Sequence, residues 1–117
     1  MRNLFAIGMI CKQVSLLGLI VIFLFPVTTG AEIPLEHQNR LKHMIRHDCG
    51  ACHGMTLKGG LGPPLTVDAM QTKSSDVLFN IIMNGVEGKP MPPWNRILNE
   101  QEVFWIVEQL KTGLSDE

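Results

Sequence analysis

The sequence predicts an all-α domain built from three main helices. Three observations carry that expectation. Apolar residues recur at i, i+3 and i+4 in separate stretches, and no stretch shows the strict alternation of a half-buried strand. The stretches are divided by segments dense in glycine and proline, which punctuate helices. At the end of the first stretch two cysteines and a histidine stand together, as Cys49-Gly50-Ala51-Cys52-His53.

A segment of another kind precedes the helices. Arg2 and Lys12 come before the apolar run from Leu16 to Phe25, Pro26 breaks the run, and Thr29 and Ala31 offer small residues to a signal peptidase. A positive start, an apolar middle and a small-residue cut site describe an export leader. Residues 1–31 are therefore expected to be a cleaved signal peptide, and residues 32–117 the domain. The run is shorter than the roughly 20 residues a spanning helix needs. The competing reading is an uncleaved anchor, because Leu4 to Cys11 is also apolar; Lys12 and Gln13 interrupt it, which favours cleavage. Cys11 lies in this leader and reads as apolar filler.

Removing residues 1–31 from the 117-residue chain leaves 86, with eight basic and eleven acidic side chains. No basic stripe remains, which argues against nucleic acid as a partner. A chain of that size is short for an unaided apolar core.

The first helix is expected over Glu32 to Asp48. Pro34 suits an opening position. Leu41, Met44 and Ile45 fall on one face, and Cys49 continues it one turn on. The opposite face holds Arg40, Lys42, His43, Arg46 and His47. His43 and His47 are four apart, a spacing that can hold a metal, although a solvated polar face is the commoner meaning.

The C-x-x-C-H arrangement that follows reads as an attachment site for a c-type haem. Each cysteine sulfur adds across one porphyrin vinyl group, and the two-residue spacer suits neighbouring vinyls. The next histidine then lies under the iron as its proximal ligand. A redox dithiol, half a zinc site and a disulfide are the alternatives. A dithiol needs no following histidine, and zinc needs further ligands that no cysteine outside the leader supplies.

Past His53 come Gly54, Gly59, Gly60 and Gly62, then Pro63-Pro64-Leu65. Glycines permit close backbone approach to a bulky planar group. A ligating imidazole needs an acceptor for its second ring nitrogen, and the Pro63 carbonyl is the candidate. An ordinary Gly-Pro loop is the other meaning of the segment.

The second helix is expected from Asp76 to Asn84, capped by Ser75 and stopped by Gly85. Val77, Leu78, Phe79, Ile81, Ile82 and Met83 make it apolar nearly all round, as for a helix held between two packing partners.

Gly88-Lys89-Pro90-Met91-Pro92-Pro93-Trp94 cannot be helical and reads as a rigid loop. A thioether is a weak ligand that the protein must hold in place, so Met91 is the candidate distal ligand of the iron. Met44, Met55, Met70 and Met83 lack that bracing or lie too near the attachment site. Trp94 and Arg96 carry N–H groups that could reach the haem propionates; Trp94 could equally be a packing residue.

In the third helix, Asn99 and Glu102 form a capping box, with Leu98 and Val103 placed for a hydrophobic staple. Val103, Ile106, Val107 and Leu110 make the buried face, to be packed near Leu41 and Ile45, with Phe104 and Trp105 flanking it in the core. Lys111 favours the C-terminal dipole and Gly113 ends the helix.

Helix, C-x-x-C-H, Gly-Pro-Pro-Leu, then Met in a proline loop before the last helix: this order resembles a class I c-type cytochrome. The resemblance implies a small fold of three main helices wrapped around one covalently bound haem c. In detail, the run from Asp48 to Pro63 and Met91-Pro92-Pro93-Trp94 are similar to the c55X-type cytochromes of denitrifying bacteria. Those are small periplasmic proteins associated with cytochrome cd1 nitrite reductase, through its electron supply or maturation of its d1 haem. By that resemblance Cys49 and Cys52 are the thioether sites, His53 the proximal ligand and Met91 the distal one.

The expected function is a periplasmic electron carrier and not an enzyme, since two axial ligands leave no substrate position. A monomer with redox protein partners, cytochrome cd1 nitrite reductase among them, and no membrane attachment after leader removal completes the expectation. A factor that holds or delivers d1 haem is the alternative, and a gas-binding sensor with a labile sixth ligand is a third.

Overall fold

The computed structural model describes residues 32–114; the expected leader, with Cys11, lies outside the described residues. Helix α1 (Leu35–Met44) runs on through a π-helical turn (Ile45–Cys49) into α2 (Gly50–His53). A short α3 (Val67–Gln71), α4 (Ser75–Asn84) and α5 (Glu100–Thr112) follow. Among the described residues there is no strand, only one antiparallel bridge between Val86 and Met91. The all-α expectation with three main helices holds.

Three local features differ from the expectation. The first helix starts at Leu35, with Pro34 extended just ahead of it at φ −56° and ψ 146°. A proline has no N–H to give and so suits the edge of a helix. Ser74, not Ser75, caps α4, its hydroxyl oxygen accepting from the Val77 N–H at 3.3 Å. The two serines are adjacent, and only the one with extended backbone can turn its side chain onto the first turn. Helix α3 was not expected at all. It has no side-chain cap of its own, and bonds to α5 hold it: Lys111 Nζ donates to the Lys73 carbonyl at 2.7 Å, and Gln71 Nε2 to the Lys111 carbonyl at 3.4 Å.

The core gathers Leu41 and Ile45 from the first helical stretch, Met70, Leu78 and Leu98, and Val103, Ile106, Val107 and Leu110 from α5. Ile45, Val103 and Val107 are almost wholly enclosed. The predicted faces of the first and last helices therefore meet. Their edges are tied by His37 Nε2 and Glu102 Oε1 at 2.6 Å. The capping box is present in both directions: Glu102 N–H donates to Asn99 Oδ1 at 3.0 Å, and Asn99 N–H to Glu102 Oε2 at 2.7 Å.

Lys42 is buried, against its placement on the solvated face. A lysine stem lies comfortably on apolar surface when its head finds a partner. Phe104 is half exposed and not enclosed in the core; it stacks on Phe79 of α4 with centroids 4.3 Å apart.

Candidate haem site

The site begins where the first helical stretch ends. The π turn widens the helix just before the motif, and α2 then carries Cys52 and His53. Cys49 is half-buried and Cys52 exposed, and both thiols are free. Burial, and after it the Asp48 carboxylate, pushes the Cys49 thiol up to about 11. Before a haem is attached, this sulfur is therefore held as the neutral thiol at ordinary pH.

His53 is buried, and its Nδ1 lies 2.7 Å from the Pro63 carbonyl oxygen, where an acceptor was sought. With Nδ1 as the donor, the tautomer is fixed and Nε2 is left with its lone pair available.

The loop between them is stitched to the end of α2 by backbone bonds. Gly62 N–H donates to the Cys52 carbonyl and Gly59 N–H to the His53 carbonyl, each at 2.8 Å. These satisfy carbonyls that a helix end leaves without partners. Leu57 holds φ 57°, the one non-glycine residue with positive φ among those described. Its N–H bonds Gly54 and its carbonyl accepts from Leu65, so both sides of the loop fix it.

Gly62 is the functional residue that the sequence did not single out. A Cβ there would stand 2.8 Å from both Nδ1 and Cε1 of His53. The backbone is thus pressed on the imidazole beside its hydrogen bond. Four glycines occur in this loop, and nothing local tells which one meets the ring.

The Met91 loop is anchored onto α4. Val86 N–H donates to the Met91 carbonyl at 3.0 Å, and Trp94 and Asn95 N–H groups reach the Ile82 and Met83 carbonyls at 3.0 and 3.3 Å. Met91 is half-buried. Of the other methionines considered, Met70 is buried in the core, Met44 and Met83 pack against it, and Met55 is exposed with its sulfur near Gly50. Trp94 also packs against the core, and Arg96 is exposed.

The donor set fits a haem c. Two unpaired thiols stand one helical turn apart, beside a buried imidazole with one nitrogen committed and the other open. Among the described residues no three or more histidine, cysteine or acidic side chains are grouped as a closed metal site.

The family described as cytochrome c oxidase, cbb3-type, subunit III matches residues 37–109. A cytochrome c55X of Stutzerimonas stutzeri is 41% identical over 102 residues, covering 86% of this chain and 90% of that one. A cytochrome c55X of Paracoccus denitrificans is 34% identical over 94 residues, covering 80% and 91%. A solved structure, the c-type cytochrome NirC, is 38% identical with a TM-score of 0.68, over 70% of this chain and 96% of that one. With the attachment motif intact at Cys49, Cys52 and His53, the chain belongs to the class I c-type cytochromes of the c55X type and carries one covalently bound haem c.

Proposed function

We propose that this cytochrome is a periplasmic carrier of single electrons in denitrification, donating to cytochrome cd1 nitrite reductase. The observation that carries the reading is the committed Nδ1 of His53, held 2.7 Å from the Pro63 carbonyl. That bond orients the ring, leaves Nε2 as proximal donor and raises its basicity. Met91, fixed by the Val86 bridge and its flanking prolines, is the distal donor in this reading. When bound, the haem supplies a one-electron iron couple, and His/Met ligation raises its potential. With His53 and Met91 both holding the iron, the chain would leave no place for a substrate, and the protein is read as an electron carrier and not as an enzyme. Trp94 is assigned here to support of the Met91 loop from the core side.

Residues 1–31 are read as a cleaved export leader on their charge and hydropathy pattern, with residues 32–117 the periplasmic domain. None of the described helices is long and apolar enough to cross a membrane. The protein is taken as a monomer, meeting its redox partner through a small transient interface. Exposed Lys58 and Lys89 border the two loops and are the cations assigned to docking.

Rapid mixing of the ferrous protein with ferric cd1 nitrite reductase tests the proposal. Second-order reduction that slows as salt rises is expected. Absence of electron transfer, together with tight binding of free d1 haem, would assign the protein to delivery of that cofactor instead.

A further inference from the structure

The haem function leaves one pair of side chains without a task. His43 and His47 are both exposed, and their rings face each other with centroids 4.1 Å apart and planes tilted by 33°. Neither imidazole makes another hydrogen bond or ion pair among the described residues. We propose that His43 and His47 form a second metal site, one that takes a divalent late first-row transition cation, Cu²⁺ or Zn²⁺.

The backbone explains the alignment. His43 belongs to α1, whereas His47 lies in the π turn that begins at Ile45. In an α-helix a four-residue step slightly overshoots one revolution. A π turn holds more residues per revolution, so the same step falls short. A step that crosses from one to the other offsets the two errors and places the second ring almost directly above the first. Small side-chain rotations then bring one nitrogen of each ring within about 2.0–2.1 Å of a shared cation.

The ligand class follows from the donors and their surroundings. Imidazole suits zinc and copper, whereas magnesium and calcium take oxygen ligands. The neighbouring charges sharpen the choice. Arg40 and Arg46 lie on the same helical stretch and Asp48 follows His47, so no excess of negative charge draws a hard cation there. Binding must come from the nitrogen lone pairs. Two protein ligands leave the remaining positions to water, so the site is open and exchangeable, unlike a closed structural zinc site. A cation here also clamps the helix immediately before Cys49, and a ligand that binds only the folded chain stabilises it.

Titration of the mature, haem-loaded ferric protein with zinc sulfate by calorimetry tests this, with thermal unfolding measured in parallel. One zinc per chain and a saturable rise in unfolding temperature are expected. His43→Asn and His47→Asn should each weaken binding roughly tenfold or more, because each removes half of the donor set. Magnesium should leave both measurements unchanged. Both variants should keep the wild-type haem spectrum, since neither side chain belongs to the attachment motif and the backbone bond from the Gly50 N–H to the His47 carbonyl is kept in either variant. With copper sulfate, electron paramagnetic resonance should show coupling to two nitrogens in the wild type and to no more than one in either variant. Failure of the wild type to bind zinc, or equal affinity in either single variant, overturns the assignment.

Discussion

Gly85 and Met91 are locked backbone to backbone: a Cβ on Gly85 would lie 2.5 Å from the Met91 carbonyl oxygen, and 2.8 Å from the Pro93 nitrogen. Gly85 also holds φ 70° with ψ −168°, a region essentially reserved for glycine. The residue that stops α4 is thus the floor on which the methionine loop rests. Gly85→Ala adds overpacking to backbone strain and should cost about 2–4 kcal/mol in denaturant unfolding. It should also weaken the ferric absorption band of sulfur ligation, which a purely remote destabilisation would leave intact.

Gly62 plays the corresponding part against the His53 ring. Gly62→Ala should push the His53 ring from its bond to Pro63, because the neighbour on which the new methyl falls is the ring itself. Loss of that bond weakens the imidazole as a donor. The measured reduction potential should rise relative to the wild type, and hydrogen exchange at His53 Nδ1 should quicken. An unchanged potential with unchanged exchange would show that the ring tolerates the methyl.

Ile45 is fully enclosed at the start of the π turn, four residues before Cys49. Ile45→Val should cost about 0.5–1.5 kcal/mol and Ile45→Ala about 2–5 kcal/mol. Guanidinium unfolding of the two haem-loaded variants gives both values.

The His37–Glu102 tie is partly exposed, so its own contribution is small. His37→Ala should cost about 0.2–1 kcal/mol. Glu102→Ala should cost more, roughly 1–2 kcal/mol, because it removes half the capping box of α5 as well as the tie. A double-mutant cycle separates the two parts, and equal losses in the single variants would contradict the division.

Much of this arrangement was legible in the residues because the signals are local. Asn99 and Glu102 cap the helix they begin, and Val103, Ile106, Val107 and Leu110 face the core at helical spacing. The Cys49–His53 motif needs only its own five residues to be read. What escaped reading depends on contacts distant in sequence. Helix α3 is only five residues long and is held by Lys111 and Gln71 across nearly 40 positions. Lys42 was placed by its charge and not by the apolar reach of its stem. The π turn leaves no composition mark, since Ile45 to Cys49 would serve equally in an ordinary helix. The glycines told where the backbone comes close, but not to what.

In the proposed reading His53 and Met91 would both hold the haem iron and leave no position for an external ligand. Exposing the ferrous protein to carbon monoxide and recording the difference spectrum tests it most directly. The wild type should show no binding at moderate gas concentration, whereas Met91→Ala should bind at once. A wild-type protein that takes up carbon monoxide as readily as the variant would contradict the account and favour a gas-binding role.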